Sequence, residues 1–368
     1  MLGGGALLAA ASKSETPERR VQFTGDGLGL SPVEYARLLA RLADEGKIQP
    51  DSYSNDGAVA ELEAAFAAEL GKERAVFLPT GTLANQLAVR LLAGQDRKVL
   101  IQRASHLYND CGDCCQTLSG LTLVPLGADR ATFTLEEVRE HVGRAEGGRV
   151  AAPVGVISIE SPVRRKSGEL FDYPEMKRIA AFARERGLRL HLDGARLYLA
   201  SAYTEVPPAE YAALFDTVYV SLYKYFNAAS GAILAGPRKL LDPLYHTRRM
   251  FGGGLNQVWP FAAVARHYHQ GFVPRYQAAV RASEDLLRRL TSDPRFRLER
   301  IPNGSNIAAL EVRTRDGKAF QKKLGAAGVM VRAPEPHRGW SRLLLTVNET
   351  ATRRPAEELA ALFREAAG

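Results

Sequence analysis

The chain has 368 residues, 46% of them hydrophobic and 24% charged, which is enough to bury a large core over about two domains and excludes a disordered chain. The formal net charge is +8, but arginine is spread along the chain among glutamates, with no basic run and no nucleic-acid motif; the charge reads as a basic soluble surface, not a nucleic-acid partner. Three cysteines cannot all pair, so no disulfide framework is implied and a reducing, cytoplasmic compartment is the default.

Residues 1–20 read as a disordered arm or as the remnant of an export signal. Ala6–Ala11 is a short apolar run with small residues suited to cleavage after Ala11, but no positive charge precedes it and it is short for a complete signal. If it is part of a signal, the protein is exported to the periplasm. Nothing elsewhere approaches the ~20 continuous apolar residues of a membrane span. Val21–Gly46 reads as a glycine-rich turn followed by an amphipathic helix, with Ser31 as N-cap and Pro32 at the first helical position.

Val59–Leu70 reads as a helix stopped by Gly71. AVFLPTGTLANQLAVRLL (75–92) reads as strand, turn and helix. Thr80, Gly81 and Thr82 open that helix, where free backbone N–H groups and the positive dipole end can hold a phosphate; ordinary capping by Thr82 is the plainer alternative. A strand at 99–102 precedes SHLYND. Cys111, Cys114 and Cys115 follow, but a fourth ligand is missing and no second cluster exists, so no metal site is expected. Gly127–Arg149 reads as a surface helix, 154–161 as a strand ending at Glu160, and Tyr173–Gly187 as a crossover helix with apolar residues at helical spacing.

Leu188–Leu192 is a short apolar run that ends on Asp193, and Thr217–Leu222 is a second one just before Lys224. Both read as buried strands. In an open parallel sheet ligands sit beyond the carboxyl ends of the strands, so this carboxylate and this lysine emerge on one edge. The pair suits pyridoxal phosphate: the lysine forms a Schiff base with the aldehyde, and the carboxylate keeps the pyridine nitrogen protonated. Spacing alone also allows an Asp and a Lys at two unrelated strand ends. Ser221 could bond the phosphate or be a plain strand residue.

A strand at 230–236 closes the large domain. Pro237 to about Gln270 is helical around Gly252–Gly254, and Arg275–Leu290 is a long helix. FRLERIP, SNIAALEV and RLLLTVN then read as strands, with helices from Lys318 to about Ala327 and over Pro355–Ala367. His267 and His269 face different ways on a helix and are no ligand pair. The expected organisation is a large α/β domain over 21–250, then an interdomain helix and a smaller α+β domain over 251–368.

HLDGAR at 191–196 with the strand-end Lys of SLYK resembles the threonine aldolase / β-eliminating lyase family of pyridoxal phosphate enzymes. YSNDGAVAELEAAFAAELGKERAVFLPTGTLANQLAV (53–89), VGVISIESP (154–162) and MFGGGLNQ (250–257) extend the resemblance. It implies an aspartate aminotransferase-like fold: a mostly parallel, seven-stranded type of sheet between helices, plus the smaller C-terminal domain. It implies that His106 stacks on the cofactor and can move a proton, and that Glu160 orients His106 or a water. It also places Arg196 near the cofactor phenolate and substrate carboxylate, and Arg342 on the substrate α-carboxylate. Tyr53 and Tyr223 are further possible site residues. Active sites between subunits are expected, hence a homodimer or homotetramer.

The chain departs from the family at several positions. Thr24, Gly25, Asp26 and Gly27 stand where the family carries Arg-Ser-Asp-Thr, and Ser161–Pro162 where it carries Asn-Thr. Asn256 replaces an arginine that reaches a neighbouring subunit's phosphate. Tyr223 and Tyr225 flank Lys224 where small residues are usual. The function expected is aldol cleavage of a β-hydroxy-α-amino acid to glycine and an aldehyde. A β-eliminating lyase on another amino acid, an aminotransferase and a non-catalytic pyridoxal phosphate-binding protein stay open.

Overall fold

The computed structural model describes residues 19–368, so the arm or export remnant expected over 1–20 lies almost wholly outside the described residues. The chain divides into a larger unit, Asp26–Gln277 with Arg300–Ile307, and a smaller one made of the described residues up to Gly25, Ala278–Glu299 and Ala308–Gly368. The larger unit thus runs past residue 250.

Among the described residues the first element is β1 (Val21–Gln22), part of the smaller unit. Helix α1 (Pro32–Asp44) starts from a capping box in which Ser31 Oγ accepts from Glu34 N and Glu34 reaches back to Ser31 N. Then come α2 (Gly57–Glu69), β2 (Arg74–Leu78), α3 (Gly81–Ala93), β3 (Lys98–Gln102), the short α4 (His106–Asn109) and α5 (Cys114–Ser119), and β4 (Thr122–Leu126). Helix α6 (Leu135–Glu146), β5 (Val154–Glu160), α7 (Tyr173–Glu185), β6 (Arg189–Asp193), α8 (Leu197–Thr204), α9 (Pro208–Ala213), β7 (Thr217–Ser221) and β8 (Ala232–Gly236) follow. The unit continues through α10 (Arg238–Leu241), α11 (Leu244–Met250) and α12 (Trp259–His269) into α13 (Phe272–Thr291). Leu38 and Leu42 of α1 pack on Ala263 and Val264 of α12, which keeps that helix in the larger unit.

Seven strands form one sheet in the order β2-β8-β7-β6-β5-β3-β4. Only β8 runs against its neighbours; β7, β6, β5, β3 and β4 are parallel. Every residue of β5, β7 and β8 is buried, as expected of central strands covered on both faces. Strand β4 is absent from the sequence expectation. It is half exposed and carries Pro125, so it lacks the continuous apolar run that marks its neighbours.

The smaller unit holds a four-stranded sheet in the order β12-β13-β10-β9. Its strands are β9 (Phe296–Arg300), β10 (Ile307–Val312), β12 (Glu335–His337) and β13 (Trp340–Thr346). Helix α14 (Gly317–Ala326) leads into β11 (Val329–Met330), which pairs in parallel with β1. Helix α15 (Ala356–Ala367) ends the chain, and its Leu359 and Phe363 join Val21, Phe23, Leu310, Phe320 and Leu343 in one core.

Candidate functional site

Strands β6 and β7 are parallel neighbours with Asp193 in register with Tyr219, so Asp193 and Lys224 leave the sheet at the same edge. Asp193 is 3% exposed. Its Oδ2 accepts from Asn85 Nδ2 at 2.6 Å and its Oδ1 from Ala195 N at 3.2 Å. Behind it, Asn85 Oδ1 lies 2.9 Å from His191 Nε2, and His191 Nδ1 lies 2.9 Å from Thr217 Oγ1. His191 is fully buried, and burial pushes its pKa down to about 3, so its ring is neutral.

Helix α3 points its N-terminus toward this edge. Thr80 caps it, its hydroxyl accepting from Leu83 N at 3.2 Å. The capping expected of Thr82 therefore belongs to Thr80, the residue with extended backbone just outside the helix. Thr82 Oγ1 instead accepts from Cys111 Sγ at 3.7 Å. A Cβ on Gly81 would fall 2.0 Å from Tyr219 Oη, so glycine alone fits there. The buried Ser221 hydroxyl at the end of β7 has no hydrogen-bond partner. An orphaned hydroxyl and the free N–H groups of a helix start are what a phosphate requires.

Lys224 is partly buried, and burial lowers its amine pKa. Its Nζ donates to Tyr223 Oη at 3.2 Å and sits 4.4 Å from that ring's centroid. Tyr223 is 45% exposed, while Tyr225 and Phe226 are core residues packed among Tyr198, Phe272 and His269. The lysine's main chain is gripped by the segment after Gly25. A Cβ on Gly27 would lie 2.4 Å from Lys224 O, and Leu28 N donates to Asn227 Oδ1 at 2.7 Å.

Arg196 lies beside this segment. Its Nε donates to Asp26 Oδ2 at 2.9 Å and its Nη2 is 2.8 Å from the same oxygen, while Asp26 Oδ1 accepts from Asn306 Nδ2 at 2.9 Å. The arginine's charge is therefore already compensated.

Glu160 ends β5 in register with Asp193. Burial, then the charge of Asp193, push its pKa up to about 8. Its Oε2 accepts from His106 N at 2.5 Å and its Oε1 from Arg164 N at 2.8 Å. Glu160 therefore touches His106 at its backbone N–H and not at its imidazole. The half-buried His106 ring faces Asp110 at 3.4 Å, and a hydrogen bond with Cys111 raises its pKa. Cys111, Cys114 and Cys115 are free and buried among Val89, Val99, Leu107 and Leu121; they act as small apolar residues there.

Tyr53 gathers with the glycine loop: its N–H donates to Asn256 O at 2.7 Å, its carbonyl accepts from Arg248, and its ring lies 4.7 Å from the Arg249 guanidinium. Arg342 belongs to the smaller unit, on β13, with Nη2 3.0 Å from Glu299 Oε2. Glu299, Glu311 and His337 offer ligand atoms within 4.8 Å of one another, a grouping the sequence did not suggest. Asp26, Asn85, His191 and Tyr219 are also additions to the expected residues. The signal for Asn85 was present: with Gln86 it puts two adjacent polar side chains in a mostly apolar, buried helix.

A parallel α/β sheet that delivers a carboxylate, a partly buried lysine and a helix start with free N–H groups to one edge has the features of the pyridoxal phosphate-dependent class. Residues 43–322 match the family model described as "Beta-eliminating lyase", and the chain belongs to that family. It is 32% identical over 223 residues to the low specificity L-threonine aldolase of Saccharomyces cerevisiae, covering 60% of this chain and 57% of that one. It is 34% identical over 259 residues to the low-specificity L-threonine aldolase of Eremothecium gossypii, covering 70% and 67%. A crystal structure from Listeria monocytogenes EGD-E, provisionally assigned as an L-allo-threonine aldolase, superposes with a TM-score of 0.77 at 28% identity, covering 94% of this chain and 96% of that one. The match thus spans about three fifths to two thirds of the two curated relatives. Pyridoxal phosphate is the family's cofactor, and Asp193, Lys224, the unpartnered Ser221 hydroxyl and the start of α3 fit it.

Proposed function

We propose that this protein is a pyridoxal phosphate-dependent lyase that cleaves the Cα–Cβ bond of a β-hydroxy-α-amino acid to give glycine and an aldehyde. The observation that carries the reading is the emergence of Asp193 and Lys224 from adjacent parallel strands in a chain of this family. The cofactor, when bound, draws off the electron pair that bond breaking leaves at Cα.

The chain's residues divide the remaining work. Lys224 Nζ holds the cofactor aldehyde, with an amine that burial keeps more readily neutral than a surface lysine's. Asp193 holds a proton at the pyridine nitrogen. Thr82, Gly81 and Ser221 bind the phosphate, with Thr80 fixing the helix start. His106 lies over the ring and takes the β-hydroxyl proton, directly or through a water it orders; the Cys111 hydrogen bond that raises its pKa makes it a stronger proton acceptor. Glu160 fixes the backbone of His106. Arg196 and Arg342 bind the substrate carboxylate by charge-assisted hydrogen bonds, which leaves the scissile bond fixed in direction. Tyr53 and Tyr223 border the site.

A homodimer or homotetramer with sites at the subunit interface suits this reading, since solvent-facing Tyr53, Tyr223 and Met250 are large apolar side chains. Three free thiols suit a cytoplasmic setting, and no helix among the described residues is long and apolar enough to cross a membrane.

The test is aldehyde release from a panel of L- and D-β-hydroxy amino acids by the purified protein, with Lys224→Ala as control. The variant should lose turnover and the cofactor's visible band; an unchanged band would sink the assignment. A β-eliminating lyase is the second reading, favoured by Gly25 in place of serine and by the Tyr223 phenol beside Lys224 Nζ. Pyruvate and ammonia in place of glycine and aldehyde would select it.

A further inference from the structure

Behind Asp193 runs a buried chain of four polar side chains, Thr217, His191, Asn85 and Asp193, with successive separations of 2.9, 2.9 and 2.6 Å. Thr217, His191 and Asn85 are each 0% exposed, so none has water as an alternative partner. Proton directions along it follow from one fact. A carboxylate only accepts, so the Asn85 group facing Asp193 Oδ2 is its NH₂. The Asn85 carbonyl then faces His191 Nε2 and needs a donor, so the neutral ring carries its single proton on Nε2. His191 Nδ1 is left as an acceptor, and the Thr217 hydroxyl must donate to it. The Thr217 carbonyl, also beside this ring, would draw the proton to Nδ1 instead; that arrangement leaves Asn85 Oδ1 facing a lone pair and breaks the chain.

We propose that Thr217, His191 and Asn85 form a one-way hydrogen-bond chain that ends on Asp193 and holds its carboxylate turned toward the cofactor nitrogen. Asn85 and His191 are then positioning residues of the reaction. All bonds in the chain point the same way, so each polarises the next. Reversing the chain as a whole would turn the Asn85 carbonyl onto a carboxylate oxygen. The chain is therefore matched to the charged carboxylate that keeps a pyridine nitrogen protonated. This rests on the role proposed above for Asp193.

The first test is nitrogen NMR of the holoenzyme grown with ¹⁵N-histidine, with the His191 signal assigned from its loss in His191→Gln. The expected result is a neutral ring protonated on Nε2. A ring protonated on Nδ1, or a charged one, overturns the proposal. The second test is kinetic. Asn85→Leu should lower kcat about tenfold or more, as loss of a hydrogen bond to a charged group does, with KM changed less than about threefold. It should also alter the substrate-free visible band. His191→Gln, whose amide can still donate toward Asn85 Oδ1, should recover part of the activity that His191→Leu loses. Wild-type kcat and band in Asn85→Leu overturn the proposal. Retention of the visible band in Lys224→Ala would instead sink the cofactor reading and leave the NMR result standing.

Discussion

Asp26 and Arg196 form a nearly buried ion pair, with side chains 10% and 15% exposed, in which a single carboxylate oxygen meets both Nε and Nη2 at 2.9 and 2.8 Å. The other oxygen is held by Asn306. Removing one partner leaves an uncompensated charge in a poorly solvated place. Asp26→Ala should therefore lower stability by about 3 kcal/mol in urea unfolding. A loss below about 0.5 kcal/mol would show that water screens Arg196 as it does a surface pair.

Gly81 offers a test of the phosphate seat. A Cβ there would meet Tyr219 Oη at 2.0 Å and Cζ at 2.6 Å, inside a sheet that cannot readily shift. Gly81→Ala should destabilise by about 1–3 kcal/mol and weaken retention of pyridoxal phosphate, read by dialysis and absorbance. Adding Tyr219→Phe removes the nearer of the two clashing atoms and should restore part of both. If the double variant is no better than the single one, the constraint on Gly81 lies elsewhere.

How far the site could be read from sequence follows from how local each signal is. Asp193 and Lys224 were legible because each sits at the end of its own apolar strand, and parallel pairing fixes which edge the ends share. Asn85 and Asp26 were not singled out, because their partners lie 108 and 170 residues away. Thr80 and Thr82 are both good caps, and only the extended backbone at Thr80 decides between them. The two short strands β11 and β12 have two and three residues and carry no period to detect. In the sequence Tyr225 stands out only as a large neighbour of Lys224, and three-dimensional packing alone makes it and Phe226 core.

That packing gives a direct prediction. Phe226 is 0% exposed and touches the rings of Phe66, Tyr198, Tyr225, His269 and Phe272. Phe226→Ala should cost about 3–5 kcal/mol by urea unfolding, well above the effect of Tyr223→Ala on the exposed side of Lys224. Equal losses would mean that Tyr223 is as deeply packed as its neighbour.

Tyr223 acts on the lysine itself. Its hydroxyl, by charge and by hydrogen bond, raises the amine pKa that burial lowers. Tyr223→Phe keeps the ring and removes the hydroxyl, so the Lys224 pKa should fall. In protein stripped of cofactor, the pH profile of Lys224 acylation, followed by mass spectrometry, should move to lower pH. A profile that stays in place would mean that the hydroxyl contact has no electrostatic weight.

Stability should also carry a signature of the buried titrating groups. Glu160 has its pKa raised from 4.5 to about 8 and Glu63 from 4.5 to about 7, both chiefly by burial. The folded state therefore holds protons that the unfolded chain has already released, and stability falls as pH rises through this range. His191 works in the opposite sense. Its pKa is lowered from 6.5 to about 3, so its contribution is present above pH 6.5 and is lost as pH falls toward 3. Between about pH 7 and 8 the histidine changes little, and the two carboxyls dominate among these three groups. Urea unfolding across that window should show stability declining with pH in the wild type. Glu160→Gln should flatten the decline, most of all toward pH 8 as Glu63 finishes titrating. Its absolute stability should nonetheless drop at low pH, because an amide cannot accept from both His106 N and Arg164 N with its two ends. A decline as steep in Glu160→Gln as in the wild type would mean that Glu160 is already ionised in the folded protein at neutral pH.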